Sequence, residues 1–203
     1  MLQGSADRVQ TFTRAEVRRL LKATADHRRG MRDHVIISLA LATGLREFEI
    51  AALDFGDAFK SGKHVPRQRI ALRVFKRSNM RQSQQFVTLN ERIRRKLIAH
   101  RNAMEAQGLD IEPDSPMFVS SRRQRISVRT IRHMFAQWQA KAGIDRPLTF
   151  HCLRHTACTN VWRQTRDLRL VQMFARHADI RSTQRYTHPT TEDLEAGVRD
   201  LDC

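Results

Sequence analysis

The chain has 203 residues, 40% of them hydrophobic, which is enough for one domain with a sizeable core. Its 37 lysines and arginines outnumber its 21 aspartates and glutamates, so the formal net charge is +16. No run approaches the roughly 20 apolar residues that a membrane span needs, and the N-terminus lacks a secretory pattern. The three cysteines are an odd number without metal spacing, which favours reduced thiols in a cytosolic protein.

The excess of positive charge indicates a polyanionic partner, most often a nucleic acid. Basic residues are interleaved with apolar ones in helix-like segments, so we expect a folded basic surface rather than a disordered arm. A ribosome-like or merely solvated basic surface is the alternative, since composition does not separate specific from non-specific binding. The histidines outside the C-terminal segment share no ligand spacing, and we expect neither a metal nor a cofactor.

The first predicted helices lead to an arginine that follows a tight turn. Thr13 and Glu16 form a capping-box pattern, which predicts a helix over residues 14–26. The next predicted helix, residues 32–43, is apolar nearly all round, as a buried helix is, and a glycine ends it. A third helix opens over residues 45–50 and places Arg46 at its start. Taken alone, Arg46 is better explained as a surface arginine paired with Glu49 or Glu47.

The middle of the chain predicts a hairpin and two longer helices. Residues 69–75 and 85–89 read as two short strands joined by a polar connector, which predicts an antiparallel β-hairpin. Lys76 enters its turn, where a solvated lysine is the ordinary alternative. Residues 117–119 predict another short strand. We therefore expect a mainly α fold with a small antiparallel hairpin, an α+β class.

Asparagine and serine caps begin the two longer helices of this region. Asn90 predicts a helix to about residue 107, and Ser127 predicts one to about residue 142. The second helix and the basic turn before it carry arginines that we expect to face DNA: Arg122, Arg123, Arg125, Arg129 and Arg132.

Residues 150–188 are the most informative stretch. A helix predicted from about residue 152 carries His151 and Arg154 three residues apart on one face, near a helix N-terminus that attracts phosphate. Tyr186 is the only tyrosine of the chain and follows a short predicted helix. A deprotonated tyrosine can act as a covalent nucleophile, and arginines can clamp a phosphate. The stretch therefore raises the hypothesis that a tyrosine attacks a phosphodiester here.

Four separate elements together resemble the tyrosine recombinases, the phage-integrase family. Arg46 lies in a segment similar to the first arginine box of that family, and Lys76 fits its β-strand lysine. Residues 151–156 look like its His-x-x-Arg-His box. In the last segment Tyr186 follows His177 by nine residues, which is the spacing of the family's nucleophile.

The resemblance implies the tyrosine-recombinase catalytic-domain fold and a site-specific DNA recombinase. Tyr186 would attack DNA, leaving a 3′-phosphotyrosyl link and a free 5′-hydroxyl without metal or ATP. The other roles would be phosphate binding by Arg46, Arg154 and His177, proton transfer by His151, protonation of the leaving oxygen by Lys76, and orientation by Glu49. If His151 helps to deprotonate the phenol, cleavage is expected to fall below about pH 6.

The resemblance also sets expectations for the organisation of the protein. Residues 1–10 would be a flexible lead-in and residues 11–203 the catalytic domain. The N-terminal core-binding domain of the family would be absent, or the chain would be a fragment of a longer protein. We expect double-stranded DNA as partner, a homotetramer on DNA, a possible DNA-bending accessory protein and no membrane. The expected location is the bacterial cytoplasm, at the nucleoid.

One residue of the last box departs from the family pattern. Arg176 precedes His177 where the family usually has glycine, and we expect an arginine there to need a negative φ. His155 and His188 are interpreted as structural neighbours of the site. The alternative functions are a type IB topoisomerase-like activity, a non-catalytic DNA-binding regulator derived from a recombinase, and a generic basic nucleic-acid-binding protein.

Overall fold

The computed structural model describes residues 9–27, 30–60, 64–72 and 85–186. These ranges contain mostly helices and one antiparallel pair of strands, which confirms the predicted fold class. The elements are α1 (Arg14–Ala25), α2 (Met31–Thr43), α3 (Glu47–Ala51), α4 (Phe55–Ala58), β1 (Arg69–Leu72), β2 (Gln85–Thr88), α5 (Glu91–Ala106), α6 (Val128–Lys141), α7 (His151–Thr165), α8 (Leu168–Ala175) and α9 (Arg181–Gln184). In the described ranges, no helix is long and apolar enough to cross a bilayer.

Helix α2 lies at the centre of the core. Its residues Val35, Ile36, Ile37, Leu39 and Ala40 are all fully buried, because α1, α5 and α7 pack around it. This confirms that an all-round apolar helix is a buried one. The main core continues from α2 through α6 to the hairpin, while a smaller apolar cluster lies beneath α7 and α8.

The predicted helix caps are present. The Thr13 hydroxyl accepts from the backbone N–H of Glu16 at 3.2 Å, and the Glu16 carboxylate accepts from the N–H of Thr13 at 2.7 Å. Asn90 and Ser127 cap α5 and α6 by the same kind of side-chain hydrogen bond. Their short polar side chains satisfy N–H groups that the helix itself leaves unpaired.

The hairpin is confirmed where it is described, and two local features differ from the prediction. Strands β1 and β2 pair antiparallel with Ile70 opposite Val87. Residues 117–119 do not form the expected strand, and their one isolated bridge pairs Val119 with Arg125. The short helix α4 was not predicted, because its four residues are too few to show a period. Lys76, the hairpin turn and the segment after Tyr186 lie outside the described residues.

Three segments distant in sequence meet on one side of α2. Gly44, with φ +63°, ends α2 in the left-handed conformation and turns the chain into α3. Helix α7 packs on α2, α8 packs on α7, and α9 packs on α8. The start of α3, the first half of α7 and the end of α8 are thereby brought together.

Candidate functional site

The first arginine segment is held by a carboxylate of its own helix. Arg46 is the N-cap residue of α3, and its backbone N–H donates to Glu49 Oε2 at 2.6 Å. Its guanidinium Nη1 lies 3.2 Å from Glu49 Oε1. The Glu49 side chain is buried, whereas that of Arg46 remains 30% exposed. The ion pair that the sequence offered as an alternative for Arg46 is therefore present, yet the arginine still reaches solvent.

Arg154 is built into the core. It is 1% exposed, and its Nη1 and Nη2 donate to the backbone carbonyls of Gly44 and Ala175 respectively. These carbonyls belong to the end of α2 and the end of α8, so one side chain joins two of the three segments. Burial, followed by the positive charge of Arg46, lowers the pKa of Arg154 to about 10, which leaves it cationic at neutral pH.

Tyr186 is buried beside two side chains of α7. Only 5% of the residue is exposed, and its hydroxyl lies 2.9 Å from His155 Nδ1. Cys158 of the same helix belongs to the same buried cluster as Tyr186. Burial raises the pKa of the phenol, and the adjacent Cys158 adds to this effect. The phenol is thus neutral in this state and needs a proton acceptor before it can act as a nucleophile.

Two imidazoles, those of His155 and His177, lie against the phenol, and a third, that of His151, packs on His155. His155 and His151 pack edge to face with 4.6 Å between ring centroids, and His177 stacks on Tyr186 at 6.1 Å and 12°. His177 Nδ1 lies 3.0 Å from the Thr183 hydroxyl, which orients the ring.

All three imidazoles resist protonation. Burial lowers the pKa of His155 to about 4, with a further contribution from His151. Burial and then the charge of Arg154 lower the pKa of His177 to about 4. Partial desolvation of the ring lowers the pKa of His151, and the positive charge of Arg154 lowers it further, although the residue remains exposed to solvent. The three rings are therefore neutral at pH 7, which leaves a ring nitrogen able to accept a hydrogen bond, although the lowered pKa makes each ring a weaker base than a free imidazole.

Arg176 corrects one expectation from the sequence. It is the C-cap of α8 with φ +54° and ψ +45°, so it takes the left-handed conformation typical of glycine instead of a negative φ. Its Nη2 lies 2.9 Å from Glu49 Oε2, and both side chains are buried. Helix α8 can therefore end in the conformation of a glycine cap while an arginine side chain fills the space towards α3.

The structure gathers most of the predicted site residues. Arg46, Glu49, Arg154, His177 and Tyr186 form one cluster. Arg46 pairs with Glu49, His177 stacks on Tyr186, and Arg154 donates to the carbonyls that end α2 and α8 beside them. His151 lies at its edge, and Lys76 lies outside the described residues. In the part of the chain that is described, no group of three or more histidine, cysteine, aspartate or glutamate side chains is arranged to hold a metal ion. A cationic cluster beside a buried phenol can bind an anion next to a nucleophile.

The five arginines expected to face DNA are all on the surface, but they differ in their partners. Arg132 makes a bidentate ion pair with Glu47, with Nη2 2.8 Å from Oε2. Arg125 lies 2.5 Å from Asp54 and donates to two backbone carbonyls of the segment before α4. These two arginines connect their elements to the α3–α4 region. The exposed members that remain are Arg122, Arg123 and Arg129.

Sequence reasoning missed Cys158, expected His155 only as a structural neighbour of the site, and noted Arg176 only as a departure from the family pattern. His155 and Cys158 lie four and seven residues after His151, so helical periodicity puts them on the same face of α7. That periodicity was a usable signal. Arg176 gave no comparable signal, because its inward direction depends on the left-handed end of α8.

Comparison with known proteins accounts for this arrangement. The sequence matches the Phage integrase family over residues 10–193. It is 30% identical over 174 residues to a protein named tyrosine recombinase XerC from Pelotomaculum thermopropionicum, covering 84% of this chain and 54% of that relative. The chain thus spans little more than half the length of that relative.

Solved structures show the same fold. The crystal structure of XerA recombinase superposes with a TM-score of 0.77 and 26% identity, covering 100% of this chain and 68% of the other. A structure of XerH site-specific recombinase bound to a palindromic difH substrate gives a TM-score of 0.73 at 18% identity, covering 95% of this chain and 53% of that one. The expected resemblance and the expected fold are both confirmed. This chain belongs to the phage integrase family.

Proposed function

We propose that this chain is the catalytic part of a site-specific DNA recombinase that works through a 3′-phosphotyrosyl intermediate. The observation that carries the proposal is the position of the Tyr186 hydroxyl, 2.9 Å from an imidazole nitrogen of His155, inside a cluster of buried arginines. A nucleophile, a proton acceptor and phosphate-binding cations are the three components that attack on a phosphodiester requires.

The proposed first step transfers one DNA strand to the protein. The Tyr186 oxygen forms a bond to phosphorus while the bond from phosphorus to the 5′-oxygen breaks. His155 Nδ1 accepts the phenolic proton, with the ring proton on Nε2. His151 packs against His155, so its part in proton transfer is indirect, through that neighbour. On the basis of the family resemblance, we propose that Lys76 donates a proton to the leaving 5′-oxygen.

The cations stabilise the charge that develops on the phosphate. Arg46 is partly exposed and binds a non-bridging oxygen, while Arg154 presents its remaining N–H groups from a buried position. His177 stacks on the phenol and adds a hydrogen bond, and Glu49 orients Arg46. The second step is the reverse reaction, in which a 5′-hydroxyl of another strand attacks phosphorus and releases Tyr186. The phosphotyrosyl bond conserves the energy of the phosphodiester, so neither ATP nor a metal takes part.

Double-stranded DNA is the proposed partner, and this agrees with the net charge of +16. We propose that Arg122, Arg123 and Arg129 contact the DNA backbone, whereas Arg125 and Arg132 act mainly by holding the α3–α4 region. The proposed working unit is a homotetramer on two DNA sites, assisted by a DNA-bending protein, in the bacterial cytoplasm at the nucleoid.

Covalent trapping tests the proposal. The protein is incubated, without metal or ATP, with a nicked suicide duplex built from DNA that flanks its own gene, and adducts are separated on a denaturing gel. We expect a protein–DNA adduct from the wild type and none from Tyr186→Phe, which removes the only tyrosine. DNA binding without any adduct would instead support a non-catalytic DNA-binding regulator.

A further inference from the structure

Arg176 combines two features that are unfavourable for stability. Its φ of +54° is a conformation in which L residues other than glycine are strained. Arg123 and Arg166 share this conformation, but both are exposed, whereas the Arg176 side chain is only 6% exposed. Its Nε atom is buried without a hydrogen-bond partner. An arginine in such a position requires a compensating role.

The contacts of Arg176 show what it acts on. Nη2 forms the 2.9 Å ion pair with Glu49 Oε2, and Nη1 donates to the carbonyl of Phe174 at 3.3 Å. The other carboxylate oxygen, Oε1, faces Arg46 Nη1 at 3.2 Å. Glu49 is therefore shared between a buried guanidinium at the end of α8 and a partly exposed guanidinium at the start of α3.

This sharing decides the charge that the cluster offers to an anion. With Arg46 and Glu49 alone, the carboxylate would neutralise the one arginine that reaches solvent. Arg176 supplies a second cation for that carboxylate. Three guanidiniums, Arg46, Arg154 and Arg176, and one carboxylate leave two net positive charges in the cluster. A phosphate under attack accumulates negative charge, and fixed positive charge lowers the energy of that state.

We propose that Arg176 is a positioning residue that binds Glu49 and so keeps the Arg46 guanidinium available for the scissile phosphate. The inference rests on the proposed phosphotyrosyl chemistry. The Arg176 guanidinium is paired directly with Glu49, so it acts through that carboxylate. Its loss lowers the rate of cleavage more than the affinity for DNA.

The test compares single-turnover cleavage of the suicide duplex with DNA affinity from gel shifts. Arg176→Gly removes the side chain and keeps the left-handed cap, so folding is favoured. We expect cleavage to fall by about 10-fold to 100-fold, the range for partners that orient site residues, with little change in affinity. Arg166→Gly is the matched control, since it makes the same change at the exposed C-cap of α7, and should cleave like the wild type.

Three further variants separate the ion pair from general packing. Arg176→Gln keeps the size without the charge and should lose as much activity as Arg176→Gly, whereas Arg176→Lys should recover part of it. In a Glu49→Gln background, Arg176→Gly should cost less than about twofold, because the two residues form one coupled pair.

Wild-type cleavage by Arg176→Gly, additive losses in the double variant, or equal activity of the Lys and Gln variants would each overturn the inference. An absent adduct in the wild type would remove the proposed function itself, and this inference with it. The two failures are therefore distinguishable.

Discussion

Replacing His155 is the sharpest test of how Tyr186 loses its proton. His155→Phe keeps an aromatic ring against His151 but removes the nitrogen that lies 2.9 Å from the phenol. His155→Asn places an amide oxygen near the position of Nδ1, so it can hold the hydroxyl but does not take up its proton. Comparing the two variants therefore separates orientation of the phenol from proton transfer.

The expected size of the effect follows from the acidity of the phenol. At pH 7 a tyrosine with a pKa of about 10 is ionised in roughly one molecule in a thousand. Burial raises the pKa of Tyr186 above that value, so the unassisted fraction is smaller still. A positioned proton acceptor contributes about 100-fold to 10,000-fold. That range holds for an acceptor with a pKa near the operating pH, and the lowered pKa of His155 makes it a weaker base. We therefore expect His155→Phe and His155→Asn to lose about 100-fold, the lower end of the range, which corresponds to about 2.7 kcal/mol of barrier.

The pH profile gives an independent measure of the same group. With a pKa lowered to about 4, His155 is neutral throughout the neutral range and becomes protonated only as the pH approaches 4. The cleavage rate should therefore be level from about pH 8 to pH 5 and fall below that. The sequence alone suggested a fall below about pH 6, because it assigned proton transfer to His151 with the ordinary pKa of a histidine.

The assay is single-turnover formation of the covalent adduct at a series of pH values, with circular dichroism at each pH. The spectrum is needed because His155 and His177 are neutral in the fold and must become charged in acid. Between about pH 6.5 and pH 4 the unfolded chain binds more protons than the folded one, so stability falls as the pH falls. Cleavage by His155→Phe near the wild-type rate, or an inflection near pH 6 in folded protein, would refute the role of His155.

Three other predictions concern the surroundings of the site. Gly44→Ala should destabilise the fold by more than about 1–2 kcal/mol, the usual cost of a left-handed residue with a side chain, because its Cβ would also lie 3.0 Å from an aromatic ring on α8. Urea unfolding measures this, and Gly108→Ala is the control, since Gly108 has the same φ and nothing within 4 Å of an added Cβ. Arg125→Ala should cost about 1.5–3 kcal/mol by removing a charged partner from the buried carboxylate before α4, whereas Arg122→Ala should weaken DNA binding in gel shifts at unchanged stability. Cys158→Ala should lower the unfolding free energy by about 1 kcal/mol and leave cleavage near the wild-type rate; an inactive but folded variant would show that the thiol takes part.

The sequence predicted the helices well because their signals are local. The capping box of Thr13 and Glu16 and the caps at Asn90 and Ser127 depend on residues three apart, and each is present. Residues 117–119 were predicted wrongly as a strand, because an apolar run does not show whether a pairing partner lies beside it. That information is in the tertiary structure.

The candidate site was predictable in its composition but not in its connections. Motif spacing indicated Arg46, Arg154 and Tyr186, and the fold brings their elements together. Spacing did not show that His155 is the imidazole in contact with the phenol, or that Arg176 reaches Glu49. Both contacts depend on how α7, α8 and α3 pack, which has no signature within any single segment.

Arg154 belongs both to the candidate site and to the core, so changes to one also affect the other. Arg154 donates two hydrogen bonds, to the carbonyls that end α2 and α8, and it is almost completely buried. Removing it would leave those carbonyls unpaired in the core, so loss of activity in such a variant would mix misfolding with lost phosphate binding. Arg46, whose side chain is 30% exposed, is the position where the proposed phosphate binding can be measured separately. One arginine of the candidate site is thus buried and joins the segments, whereas the other stays partly exposed and is the one that we propose meets the phosphate first.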